Sequence, residues 1–363
     1  MGAGSRPTVK GLDLCRRYFH EVGVPALREH FPEWLDRAAC GLIGPGSDVF
    51  GYDDEISRDH NWGPRFWIVL SSEDYAAVGE RMEATLLSVL PPEFEGHQIR
   101  GFPPGRGERH VRVRDVREMC ESMLGYADLP EDDVAWLGVA EHRLFELHAG
   151  EVWHDPQRLL VGVRERTSYF PEMVWRKRMA FFWEGLFFAD NFVRCAVRGE
   201  RVGEQMYLGW AFYCIMRLGF MLNRRYAPYR KWLHRAFREL PRLADELEPM
   251  LGQMMDGESA EAKRQGFRAA LDVLGRATNE LGIVQPQPLD GDPAYLDSGA
   301  GFNCYGFATA IQSTITGPLS KLAYHDGAPD QWAFDLGTAK PLGYPAIVRA
   351  LFPEAQAAPE EEQ

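Results

Sequence analysis

Near Pro130 the spacing of apolar residues changes character, and this change constrains the fold more than any other feature of the sequence. Beyond it, apolar residues recur every three to four positions over long stretches, the period of an amphipathic helix. The pattern predicts a helix from Leu129-Pro130-Glu131-Asp132 to near Gly150. It then predicts helices over about 156–167, 171–199, 203–224, 226–256 with a break at Pro241, and 258–281. Together they make a helical bundle. Before Pro130 helix and strand alternate. Two short helical patterns, one around Leu12, Cys15 and Tyr18-Phe19 and one around Leu27, Phe31 and Leu35, precede the β-rich run Phe66-Trp67-Ile68-Val69-Leu70. A helix is expected from Ser72 to about Leu90, then a strand at Val111-Arg112-Val113, and Glu151-Val152-Trp153 reads as a short strand returning to the same sheet.

A chain of 363 residues has room for two domains. The expected class is α+β: a small mixed-sheet domain over 1–157 and a larger helical domain over 158–352, with an acidic tail over 353–363. A Pro/Gly-rich connector at 284–303 leads to a last helical segment near 304–322.

Hydrophobic residues make up 45% and charged residues 26%, which places the chain among folded proteins and not disordered ones. The 53 acidic residues outweigh the 40 basic ones for a net charge of −13, a field that repels polyanions. This argues against nucleic acid as the main partner, unless a local basic patch outweighs it. The longest apolar stretch, Met206 to Met216, is interrupted by Gly209 and stopped by Arg217, well short of the ~20 residues a membrane span needs. No membrane association is therefore expected, and without an apolar signal core at the N-terminus the expected location is the cytoplasm. Cys15, Cys40, Cys120, Cys195, Cys214 and Cys304 lie far apart with no C-x-x-C pair, and read as reduced thiols.

The most informative stretch runs from Gly46-Ser47 through Gly51-Tyr52-Asp53-Asp54-Glu55 to Asp59-His60-Asn61-Trp62-Gly63. A Gly-Ser turn leading into a helix presents backbone N–H groups to a phosphate, because those first groups lack an internal partner and the helix dipole favours an anion there. Asp59 and Asn61 are spaced i, i+2, so on a strand they point to one face, as two oxygen ligands for a divalent cation should. From the residues alone, Gly44, Gly46 and Gly51 read equally well as a tight loop, and Asp53-Asp54-Glu55 as a solvated cluster. His60 should face away from Asp59 and Asn61 and pack. Pro64 argues against a regular central strand here and suggests an edge or bulge.

Gly-Ser followed after about a dozen residues by an Asp-x-Asp pattern resembles the signature of the polymerase-β-like nucleotidyltransferases. The wider text resembles more closely an uncharacterised bacterial family in which a nucleotidyltransferase-like domain precedes a helical one. It includes Ala38-Ala39 before the turn, Gly51-x-Asp53-Asp54-Glu55-x-Ser57-x-Asp59-His60 after it, and Arg225-Tyr226-Ala227-Pro228-Tyr229-Arg230-Lys231-Trp232 downstream, so that the similarity spans about residues 10–240. The resemblance implies that Gly46 and Ser47 hold a nucleoside triphosphate and that Asp59, helped by Asn61, holds Mg2+. The nucleoside monophosphate then passes to a small-molecule acceptor. Two departures stand out. Asn61 occupies a position where the family usually has an acid, and the third carboxylate falls to Asp115, or less well to Asp155. The same protein without turnover would be a nucleotide-binding or regulatory protein.

Lys231, at the start of a bundle helix, is the candidate for the β- and γ-phosphates, with Tyr229 or Tyr226 beside the base or ribose. Against this, Arg224, Arg225, Arg230, Lys231, Arg235 and Arg238 recur at helical spacing and read equally as a wet face. Trp175-Arg176-Lys177-Arg178 reads as a snorkelling helix face before an acceptor surface. His154-Asp155 suggests a metal phosphohydrolase pair, but the histidine and aspartate that should accompany it are missing, so a turn after a strand is the better reading. His142 and His148, six residues apart, do not share a helix face.

Overall fold

A computed structural model describes residues 9–58, 61–99, 109–291, 301–332 and 344–353. The chain forms two compact units, one of residues 1–129 and 143–168, the other of 130–142 and 169–363. The α+β class holds, with a small mixed sheet in the first unit and helices in the second.

The sheet has four strands: β1 (Ala39–Leu42), β2 (Phe66–Leu70), β3 (Val111–Asp115) and β4 (Glu151–His154), in the order β3-β2-β1-β4. β1 runs antiparallel to both β2 and β4, whereas β2 and β3 are parallel. Three of the strands lie where the aromatic and β-branched runs place them. β1, made of Ala-Cys-Gly-Leu, carries no such signal, and its four residues are all buried. Along β2, Phe66, Ile68 and Leu70 face one core, where Tyr18, Phe19, Met82, Leu86, Val111 and Val113 meet them, as the two-residue period of a strand requires. Leu42, Val49 and Cys15 form a smaller core with Trp67 and Trp153 against it. Helix α1 (Gly11–Tyr18) starts the unit. Ser71, not Ser72, caps the helical stretch that ends in α2 (Glu80–Val89), its side chain accepting from the Asp74 amide at 3.1 Å. Helix α3 (Val116–Leu124) follows β3 directly. A break at 138–140 separates helix Asp133–Leu137 from α4 (Glu141–His148), where one helix was expected.

The second unit contains α5 (Glu172–Ala189), α6 (Arg201–Leu222), α7 (Arg230–Phe237), α8 (Ala244–Asp256), α9 (Ala260–Glu280) and α10 (Cys304–Gln312). The expected helix over 171–199 is divided at Asp190, and the break near Pro241 falls between α7 and α8, where Leu243 has a left-handed φ of 72°. Trp175, Trp183, Phe182, Phe192, Phe237 and Phe267 are fully buried here. Trp183 stacks on Phe307 with centroids 4.6 Å apart.

Two of the three basic residues on α5, Lys177 and Arg178, do not snorkel. Arg178 is 0% exposed and donates to both oxygens of Asp330 at 2.9 and 2.8 Å and to Glu141 Oε2 at 2.8 Å. Arg217 also donates to Glu141, whose other oxygen accepts from the Ala227 amide at 2.9 Å. Two guanidiniums and two carboxylates are thus buried together, each charge compensated by its neighbours. Lys177 is buried too, donating to Gln312 Oε1 at 3.2 Å and to the Ala323 carbonyl, and burial pushes its ammonium down to about 8.

Candidate functional site

β1 ends at Leu42, and four residues later Gly46 opens a single helical turn. The Gly46 carbonyl accepts from the Phe50 amide at 3.1 Å, Asp48 from Gly51 at 3.0 Å and Ser47 from Tyr52 at 2.7 Å. Gly46 has a φ of 150°, and a Cβ there would stand 2.6 Å from Asp48 Oδ1 and 3.5 Å from Arg65 Nη2, so only glycine fits. The expected strand and turn are present, but a single turn stands where a helix was expected. Ser47 is half-buried beside it.

What fixes this turn is a buried ion pair 17 residues apart in sequence. Arg65 grips the Asp48 carboxylate with two hydrogen bonds, of 2.6 and 3.1 Å, and also reaches the Gly63 carbonyl at 3.3 Å. Burial opposes the Arg65 charge, but Asp48 outweighs it and holds the guanidinium above its ordinary value. Asp48 is 1% exposed. Its neighbour Asp53 is buried as well. Asp53 Oδ2 accepts from the Gly11 amide at 2.9 Å, at the start of α1, and from the Trp62 indole at 3.0 Å, while Lys10 stands 3.5 Å from Oδ1. Gly63, at φ 128°, leaves no room for a side chain, since a Cβ would sit 2.5 Å from the Gln98 carbonyl. The Cys15 thiol donates to the Gly63 carbonyl at 3.2 Å, and burial pushes it up to about 12, which leaves it inert as a nucleophile near neutrality.

Between these clamped ends lies the loop that carries the other candidates. Asp54 and Glu55 are exposed, and Asp54 Oδ1 accepts from the amide and the hydroxyl of Ser57, both at 2.9 Å. Arg58 lies 4.5 Å above the Trp62 ring. Asp59 and His60 lie outside the described residues. Asn61 is exposed at a left-handed φ of 50°, five residues before β2, so it is not on a strand as the i, i+2 argument required. The chain turns at Asn61, Gly63 and Pro64 before it can extend.

Asp115 is not brought to the turn. Antiparallel pairing sets Gly41 against Trp67, which puts the end of β1 beside the first residue of β2, whereas Asp115 pairs in register with Leu70, the last. Four residues of strand, about 13 Å at the usual rise, separate the two ends. Its carboxylate is also engaged, capping α3 by accepting from the Arg117 amide at 2.6 Å and the Glu118 amide at 3.2 Å. Asp155 likewise caps a helix, accepting from Leu159 and Val161. His154 bonds to the Leu35 carbonyl at 2.8 Å and His148 to Thr167. Among the described residues no group of three His, Cys, Asp or Glu side chains is placed to hold a metal ion.

Glu151 is the carboxylate that the register does bring to this end, paired with Leu42 on β4. Arg16 Nε donates to it at 2.6 Å and holds its carboxyl below the ordinary range. Neither Glu151 nor Arg65 has a local sequence signal, because each acts through a partner far along the chain. Tyr229 and Lys231 belong to the helical unit, where Tyr229 is half-buried before α7 and Lys231 is exposed, its ammonium 4.8 Å from the centre of the Trp232 ring.

No helix among the described residues is long and apolar enough to cross a membrane. No curated protein matches the chain. A solved structure similar to it is the nucleotidyltransferase-like protein from Exiguobacterium sibiricum 255-15, at a TM-score of 0.33 and 11% identity over 80% of this chain and 88% of that one. The family match covers residues 136–233, a segment that follows the Gly46-Ser47 turn and contains Glu141, Arg178 and Arg217 of the buried charge cluster. Over those residues the chain is similar to an uncharacterised family, the domain of unknown function DUF4037.

Proposed function

We propose that the sheet-bearing unit binds a nucleoside triphosphate at the Gly46-Ser47 turn, and that the protein transfers the nucleoside monophosphate to a small-molecule acceptor. The observation that carries this reading is how the turn is built: it starts at a residue with no side chain and is clamped to the segment after Asn61 by the buried Asp48–Arg65 pair. Backbone N–H groups at the start of such a turn favour an anion, and a phosphate approaching Gly46 meets no Cβ. In this reading Ser47 donates its hydroxyl to a phosphate oxygen. The clamp holds both ends of the loop carrying Asp59 and Asn61, so that phosphate contacts are preorganised. Mg2+ would be held by Asp59 and the Asn61 side-chain oxygen, and would supply charge neutralisation on the phosphates. Tyr229 and Lys231 have no part in the proposal, whose contacts all lie in one unit.

A second reading, nucleotide binding without turnover, is favoured by the position of Asp115. With that carboxylate at the other end of the sheet and Asn61 uncharged, Asp59 is the one acidic group left of the three candidate ligands, and carboxylates are what offset the repulsion between two close divalent cations. The test has two stages. Magnesium nucleotide should raise the melting temperature, by mass action about 2.7 kcal/mol of stabilisation at a hundredfold excess over Kd. Ser47→Ala and Asp59→Ala should remove the shift without changing the apo melting temperature. Pyrophosphate release from the wild type then supports transfer, whereas release only from Asn61→Asp leaves the binding reading. No shift with any of the four common ribonucleoside triphosphates refutes both.

A further inference from the structure

We infer a second small-molecule site, lying wholly in the helical unit and independent of the nucleotide reading: a cavity that takes an amphipathic anion with a flat apolar body. The cavity is about 970 Å3 and opens between α5, α6 and the start of α7. That volume is at the upper end of the about 300–1,000 Å3 typical of ligand sites.

Its walls are ordered and apolar. The Trp210 indole N–H is tied to the Gly185 carbonyl at 2.9 Å, and the Tyr213 hydroxyl accepts from the buried Arg217. The two rings stack at 5.7 Å between centroids, with 27° between their planes. Because their polar atoms are engaged elsewhere, they offer an occupant ring surface and ask for no hydrogen bond. Phe181 meets Trp210 edge-on at 6.5 Å and continues the wall. At the mouth, Met206 is 72% exposed and Phe188 51%, an apolar rim that water solvates poorly. Gly209 adds room, for a Cβ built there meets nothing within 4 Å.

The cavity's cation sets the chemical class. Arg230 lines it, with its guanidinium 5.7 Å from the centre of the Tyr213 ring. Exposed at the cavity's edge, this guanidinium beside an aromatic wall recognises a planar carboxylate, sulfonate or phosphate. A second copy of the chain suits the cavity less well, because an isologous contact would bring two such arginines into one apolar space.

The test uses the full chain with two naphthalene probes, the anionic anilinonaphthalene sulfonate and its neutral relative N-phenylnaphthylamine, followed by probe fluorescence. The sulfonate should bind at one saturable site. Gly209→Phe fills the space from within the helix and should abolish binding of both probes. Met206→Glu, at an exposed rim position where packing is not at stake, should weaken the sulfonate by repulsion. Arg230→Gln should weaken the sulfonate about tenfold, the value of one charge-assisted hydrogen bond, and leave the neutral probe unchanged. Binding that does not saturate, or that survives both Gly209→Phe and Met206→Glu, overturns the site. Equal losses of both probes in Arg230→Gln overturn the anion assignment. A dimer in light scattering that Met206→Glu converts to monomer assigns the cavity to contact between copies and overturns the ligand.

Discussion

Replacing Asp48 by Asn tests whether the ion pair behind the Gly-Ser turn organises the site. The substitution keeps the shape of the side chain and removes its charge. Arg65 is 9% exposed and donates to Asp48 at 2.6 and 3.1 Å, so Asp48→Asn leaves a guanidinium in an apolar setting with the Gly63 carbonyl for company. Breaking one side of a buried pair typically costs about 3–5 kcal/mol, because the remaining charge is uncompensated. For a unit of this size each kcal/mol moves the melting temperature by about 2–4 °C, which predicts a loss of roughly 6–20 °C. Calorimetry of the whole chain reads the loss, and amide exchange locates it: protection at Phe50, Gly51 and Tyr52, whose amides close the turn, should fall first. The double variant Asp48→Leu with Arg65→Met removes both charges at once and should recover most of the stability, since apolar replacement of a buried pair is often neutral. It should not recover nucleotide binding, because the side-chain hydrogen bonds that clamp the phosphate turn to the segment after Asn61 are then gone. A loss below about 1 kcal/mol in Asp48→Asn, the range of exposed pairs, would refute the reasoning.

Two further outcomes concern the helical unit. Glu141→Gln should destabilise it by about 3 kcal/mol or more, since Glu141 compensates both Arg178 and Arg217; a calorimetric change under about 1 kcal/mol would contradict this. Lys177 sits near Asp326 and Glu184, yet burial dominates and lowers its folded pKa to about 8 from 10.5. Between those two values the unfolded chain keeps a proton that the folded chain has lost, so stability rises with pH across that window, by up to roughly 3 kcal/mol. Denaturant melts should show that rise in the wild type, and Lys177→Met should flatten it. Parallel pH profiles for the two proteins would discard the buried-charge explanation.

Much of the candidate site was legible because its signals are local. Gly44, Gly46 and Gly51 occupy positive-φ positions that the glycine-rich text announces, and the break at Pro64 before β2 follows from its missing N–H. The acidic run at 53–55 was legible only as charge. Asp53 is buried, holding α1 and Trp62, while Asp54 and Glu55 face solvent, and nothing in three adjacent acids distinguishes them. Asp115 shows the same limit. A carboxylate after a strand is a candidate ligand until the sheet register is known, and the register set it at the end away from the turn.

The sequence by itself determined the elements: helical period after Pro130, strands at the aromatic and β-branched runs, and, among the described residues, no apolar helix long enough to cross a membrane. These depend on interactions within a few residues, which spacing and residue type encode directly. Tertiary structure alone decided which charges are compensated. Asp48 finds Arg65 across 17 residues and Arg178 meets Asp330 across 152, and Lys177 and Arg178 turn inward on a helix whose text reads as wet. A buried charge is tolerated only where a distant partner repays its lost hydration, and that partner is fixed by how the elements pack, not by anything beside it in the chain.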